Sequence, residues 1–241
     1  MTEDRIYAKP QPHLVDFAFD EQVARVFPDM IRRSVPGYET IISMLGMFAK
    51  EFVTDNSQVY DLGCSLGAAS LAMRRHIQAS GCRLIAVDNA EAMVKHCREN
   101  LEQDQSITAC EVRCEDIQDT LIQNASLVTL NFTLQFIAPE SREALLKNIL
   151  TGLNTGGALV LSEKIFFEND DSQELQTSWH HSFKRANGYS DLEISQKRQA
   201  IENVLIPDTI EQHRERLTKL GFSRVECWFQ CFNFVSFVAI K

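Results

Sequence analysis

The stretch with the clearest capacity for chemistry is Tyr60-Asp61-Leu62-Gly63-Cys64-Ser65-Leu66-Gly67-Ala68. A short apolar run leads into it and a helical pattern follows. Gly63 lets the backbone approach a ligand closely, and Gly67 allows tight packing at the helix start. Free N–H groups and the positive end of the helix dipole suit a carboxylate or a phosphate there. The spacing is G-x-x-x-G, not the dinucleotide G-x-G-x-x-G, and such a turn alone also has purely structural uses. Asp88 follows Gly63 by 88 − 63 = 25 residues and ends the next apolar run. An acid there can accept both hydroxyls of a nucleoside ribose. Glu115-Asp116-Ile117 closes a third run, where a carboxylate can accept an adenine amino group or simply cap a loop. Asn131 closes a fourth. All four points fall at carboxyl ends of strands, where parallel sheets bind ligands.

The elements that must position these residues alternate. Strand-like runs at 58–62, 83–87, 107–113, 126–130 and 158–162 are separated by helical patterns at 68–78, 90–101 and 140–150. This alternation predicts βαβ units and a parallel sheet. A helix over 207–220 follows, with Gly221 just past its end. Strands at 223–233 and 234–240 have almost no connection between them, so that pair must be antiparallel. The fold class is therefore α/β, a mostly parallel seven-stranded sheet with a terminal antiparallel hairpin. Residues 14–53 show apolar positions at helical spacing, after a flexible arm at 1–13. Residues 1–54 read as arm and helical extension, and 55–241 as the ligand-binding domain. Within the latter, 166–206 is a polar, helical insertion.

Composition sets limits. The chain has 241 residues, 44% hydrophobic, with only 10 Gly and 6 Pro, which excludes a disordered or collagen-like chain. The net charge of −9 argues against a nucleic-acid coat and leaves room for a small anion held by local arginines. Met1–Pro12 has no apolar core, and no apolar run has the length to span a bilayer. The seven Cys, at 64, 82, 97, 110, 114, 227 and 231, read as reduced, mostly buried thiols of a cytoplasmic protein. The pairs Cys110/Cys114 and Cys227/Cys231 lack a completing His, so no metal is expected.

The strings Tyr60–Ala69, Val87-Asp88-Asn89 and Asn131-Phe132-Thr133-Leu134-Gln135-Phe136-Ile137 resemble the carboxy-S-adenosyl-L-methionine synthase family. So do Ile194-Ser195-Gln196-Lys197-Arg198 and Trp228-Phe229-Gln230-Cys231-Phe232-Asn233-Phe234. The resemblance covers nearly the whole chain. It implies the Rossmann-like class I methyltransferase fold with S-adenosyl-L-methionine (SAM) as substrate. It further implies that Tyr38, Gly63, Cys64, Ser65, Asp88, Asn89, Asp116, Ile117, Asn131 and Arg198 line the ligand site. The implied reaction turns SAM and prephenate into carboxy-SAM and phenylpyruvate, a sulfonium ylide trapping CO2. The implied product serves a tRNA carboxymethyltransferase that modifies wobble uridine, and the implied assembly is a homodimer built on the extension and insertion. Direct nucleic-acid binding is not expected.

Arg198 is the expected partner of the new carboxylate, since a guanidinium stays charged and binds carboxylate through two donors. Without the resemblance it reads as a solvated helix arginine beside Lys197. His180-His181 reads as a polar helix face rather than a base, and His96 as surface. Phe17, Phe19 and Phe27 read as core or dimer contacts. Two rivals stand: a SAM-dependent methyltransferase acting on a small molecule, and a non-catalytic SAM-binding partner in tRNA modification.

Overall fold

The computed structural model describes residues 2–241. Seven strands form one sheet in the order β3-β2-β1-β4-β5-β7-β6. They are β1 Gln58–Leu62, β2 Arg83–Asp88, β3 Ala109–Cys114, β4 Ala125–Asn131, β5 Leu153–Lys164, β6 Arg224–Cys231 and β7 Phe234–Ile240. The first five are mutually parallel. β7 runs antiparallel to both β5 and β6. Successive strands step outward one way from β1 and the other way from β4, so a crevice opens beyond the carboxyl ends of these two neighbours.

Side chains alternate across the sheet, as the period of two requires. Tyr60, Leu62, Ile85, Val87, Val128, Leu130, Leu159 and Leu161 pack on one face. There they meet Leu145, Leu146 and Ile149 of α5 (Pro139–Gly152) and Leu217 of α8 (Ile210–Leu220). Val59, Leu84, Ala86, Leu127 and Val160 face the other way. They meet Leu45, Phe48 and Ala49 of α2 (Tyr38–Phe52), Met73 of α3 (Ala68–His76) and Cys97 of α4 (Glu91–Glu102). α2 is thus part of the core rather than an attachment to it. Helix α1 (Glu21–Ser34) begins where the Asp20 side chain accepts from Val23 N–H, and packs Val23, Val26 and Met30 with Met93 of α4.

The insertion forms α6 (Asp170–Ala186) and α7 (Asp191–Ile201). Ser190 and Glu193 make a reciprocal capping box at the start of α7. Several boundaries differ from the sequence reading. β3 starts at Ala109 because Ile107 is fully exposed and pairs with nothing. β5 begins at Leu153, well before the expected 158, and shifts register to pass Gly156-Gly157. α8 starts at Ile210, because Asp208 is taken by a β-bridge to Ile165. Thr209 then caps the helix together with Gln212.

Candidate active site

The crevice holds a cavity of about 520 Å³, and all ten expected site residues line it. Nine of them arrive from five places: Tyr38 from α2, Gly63, Cys64 and Ser65 from the β1 turn, Asp88 and Asn89 from the end of β2, Asp116 and Ile117 after β3, and Asn131 at the end of β4. Arg198 comes across from α7.

The β1 turn owes its shape to three left-handed residues, Gly63 (φ 81°), Ser65 (φ 50°) and Gly67 (φ 86°). A Cβ on Gly63 would collide with the Thr133 side chain, so glycine there keeps β1 and β4 close at the crevice mouth. Gly63 and Cys64 N–H donate to the Val87 carbonyl at 2.8 and 2.9 Å. Ser65 N–H donates to Asp88 Oδ2 at 2.8 Å, and Ala90 N–H donates to Asp88 Oδ1 at 3.0 Å. The β1 turn and the β2 acid are therefore one unit. Burial raises the Asp88 carboxyl above its ordinary range. Asp61, fully buried beneath the turn, accepts from Ser70 Oγ at 2.5 Å and Thr129 Oγ1 at 3.0 Å. Burial still pushes it up to about 6.

Two acceptors in the cavity wall are unmatched. Asn131 Oδ1 and Asn233 Oδ1 are buried without a hydrogen-bond partner among the described residues. Buried polar atoms are otherwise almost always paired, so these mark places where a ligand donor belongs. Asp116 Oδ1 accepts from the Gln118 backbone at 2.9 Å, which orients it at the rim. The Tyr38 hydroxyl is raised further above its ordinary range, chiefly by burial.

The opposite end of the cavity is cationic. Lys164 ends β5, and Lys184 and Arg198 come from α6 and α7. Burial and Arg198 lower Lys164. Burial first, then Lys197, Lys164 and Arg198, push Lys184 down to about 7. Arg198 is exposed, as its helix position suggests, but it stands at the cavity rather than on an open surface. Its side chain lines the cavity, while the adjacent Lys197 is buried and donates to Ser34 Oγ at 3.0 Å. His180 corrects the sequence reading as well. It is buried, donates Nε2–H to the Ser34 carbonyl at 2.8 Å and packs edge-on against Phe234 at 4.9 Å. His181, next to it, is half-buried on the cavity wall.

Phe17, Phe19 and Phe27 line the cavity while packing against the α1–α4 cluster, so they serve wall and core together. His96 is half-buried between Glu21 and Glu99. Of the thiols, only Cys64, Cys82 and Cys97 are buried, and Cys114 is exposed. Cys64 and Cys97 lie 3.8 Å apart beneath the β1 turn, a juxtaposition their spacing of 33 residues conceals. Among the described residues no group of three or more His, Cys, Asp or Glu could hold a metal ion.

The sequence reading missed Lys164, Lys184 and Asn233. A signal existed for two of them. Gln173, Thr177, His180, His181 and Lys184 recur at helical spacing and share the cavity-facing side of α6. Lys164 obeys the same strand-end rule that singled out Asn131.

Comparison with known proteins agrees with this geometry. The sequence model of the methyltransferase domain family matches residues 59–157, the segment that carries the β1 turn, Asp88 and Asn131. A carboxy-S-adenosyl-L-methionine synthase of Shewanella putrefaciens is 61% identical over 240 residues, 100% of this chain and 99% of that protein. The chain belongs to the carboxy-S-adenosyl-L-methionine synthase family. The synthase of Shewanella baltica strain OS155 is 60% identical over 241 residues with the same coverage. Among solved structures, human N-acetylserotonin methyltransferase in complex with SAM superposes with a TM-score of 0.61 at 15% identity. It covers 92% of this chain and 55% of that one. The synthase thus has the Rossmann-like methyltransferase fold.

Proposed function

We propose that this synthase binds SAM in the crevice and carboxylates its methyl carbon with the ring carboxyl group of prephenate. The reading rests on full-length identity of 61% to a protein named for that product, with every expected site residue facing one cavity. Gly63, Ser65 and the first turn of α3 receive the SAM carboxylate, Asp88 the ribose hydroxyls, and Asp116 with Ile117 the adenine. Asn131 Oδ1 is free to accept a donor of the ligand.

The atoms balance without a further reagent. Prephenate loses its ring carboxyl group as CO2 and its hydroxyl as hydroxide when the ring becomes aromatic. The SAM methyl group loses one proton, its carbon forms a new bond to CO2, and proton and hydroxide leave as water. The enzyme's part is to hold the partners together and keep bulk water out. Arg198 then faces the new carboxylate as a charge-assisted donor.

The product serves a tRNA carboxymethyltransferase in the cytoplasm, and the synthase acts as a homodimer. Its acidic balance supports a small-molecule enzyme rather than one that binds the tRNA itself. Among the described residues no helix is long and apolar enough to cross a membrane. The first experiment is the mass of whatever small molecule leaves the purified protein on denaturation. A species heavier than SAM by one CO2, and its formation from SAM and prephenate, is expected. S-adenosylhomocysteine as the turnover product would instead establish a methyltransferase. Binding of SAM without turnover would establish a scaffold.

A further inference from the structure

The cationic end of the cavity has more charge than one new carboxylate needs. Lys164, Lys184 and Arg198 line it, and none of the three has a carboxylate partner among the described residues. The charges acting on Lys184 are those of Lys197, Lys164 and Arg198, and the one acting on Lys164 is that of Arg198. All are repulsive. Lys184, Arg198, Arg185 and Lys164 all act on His181 in the same repulsive sense.

The acids of the cavity wall are engaged elsewhere. Glu39 sits 3.9 Å from Arg32, Asp61 is held by Ser70 and Thr129, Asp88 by Ser65 and Ala90, and Asp116 by Gln118. Lys197 is a different case, since it donates to Ser34 Oγ and feels the compensating charge of Asp4. Partly desolvated like charges are unfavourable until an anion joins them. The nearby apolar wall is aromatic, with Phe132, Phe136 and Phe234.

We propose that Lys164 and Lys184 form a second anion subsite beside Arg198, and that it holds the carboxylate of the carboxyl donor that is not transferred. This rests on the reaction proposed above. Prephenate carries two carboxylates. One leaves as CO2 and reappears on the methyl carbon, where Arg198 faces it. The other stays on the pyruvyl side chain, is anionic from start to finish, and needs a partner of its own. Two lysines serve that carboxylate, and the aromatic wall beside them takes the ring. The pair makes the enzyme selective for a dianionic donor over a monocarboxylate.

The test compares full-length Lys184→Met, Lys164→Met and Lys184→Arg with the unaltered enzyme. Each Met variant is expected to raise the prephenate KM about tenfold or more, the scale of losing a charge-assisted contact. SAM affinity, measured by calorimetry, stays within about twofold because the lysines lie away from the nucleoside end. Lys184→Arg restores KM to within a few-fold. An unchanged KM in both Met variants, or a parallel loss of SAM affinity, overturns the assignment. A second measurement needs no turnover: calorimetric binding of homophthalate, an unreactive aromatic dicarboxylate, to the SAM-saturated protein. Binding that is lost in Lys184→Met supports the subsite even if prephenate proves not to be the donor. Equal binding in both proteins, or none in the unaltered enzyme, overturns it. Absence of turnover with prephenate in the unaltered enzyme overturns only the reaction.

Discussion

Arg198 faces the cavity from α7 while its neighbour Lys197 is fixed to Ser34 Oγ. Arg198→Ala should therefore leave SAM affinity within about twofold and lower carboxy-SAM formation by about a hundredfold, the scale of removing one preorganised charged donor. Steady-state rates beside calorimetric SAM binding check this. Asp61 makes a pH prediction. Its carboxyl is held up to about 6, and SAM brings a positive sulfonium and ammonium into the cavity it lines. A cation favours the ionised form, so binding expels the proton and SAM affinity rises with pH between 5 and 7. Asp88, also raised, acts in the same sense. In the ligand-free protein the sign reverses. A carboxyl raised in the fold contributes stability below its unfolded value of 3.8, and that stability is lost as pH rises through 6. SAM titrations at several pH values should show the rise, and Asp61→Asn should flatten it.

Two elements set the site's geometry from a distance. In the β1 turn, Gly63→Ala places a Cβ at φ 81° against Thr133. It should destabilise the fold by about 1–3 kcal/mol and weaken SAM binding, because the turn that aims the N–H groups must shift. Thermal unfolding with and without SAM reports both effects. Helix α7 is tied to the N-terminal arm. Gln196 Nε2 donates to the Tyr7 and Lys9 carbonyls at 2.9 Å each, and Gln196 Oε1 accepts from Gln11 N–H at 2.7 Å. Tyr189 OH reaches Asp4 Oδ2 at 2.5 Å, and Arg33 lies over the Tyr189 ring at 3.9 Å. Gln196→Ala leaves three backbone groups without this partner. Limited proteolysis should then cut the arm near residues 7–11 faster than in the unaltered chain. A KM increase for prephenate larger than that for SAM should accompany it, since α7 also carries Arg198.

At the scale of the whole molecule, α6 is two-sided. One side lines the cavity, and the other leaves Leu175 and Trp179 exposed at 49% and 44%. Trp179 leans on Phe232 at the β6–β7 turn, so the apolar surface continues from the insertion onto the hairpin. Light scattering is expected to give twice the 27.4 kDa chain mass, and Leu175→Glu to shift it towards one chain. A mass of 27.4 kDa for the unaltered protein would remove the dimer.

Much of this molecule was legible before its tertiary structure. Alternating apolar runs determined the seven strands, most plainly the inner β1, β2, β4, β5 and β7, which bury residues on both faces of a covered sheet and so read as short continuous runs, whereas the edge strands β3 and β6 are only half-buried. The strand-end rule located Gly63, Asp88, Asp116 and Asn131, because a parallel sheet gathers its carboxyl ends at one edge. Tertiary packing decided what depends on distant partners. It turned His180 from a polar helix position into a buried donor to Ser34, and it brought Cys64 against Cys97. It also gathered Lys164, Lys184 and Arg198, from three separate elements, around one cavity. Local spacing specifies which face of a helix a residue occupies, whereas the partner that face meets, and with it the charge of a site, is set only when the chain closes on itself.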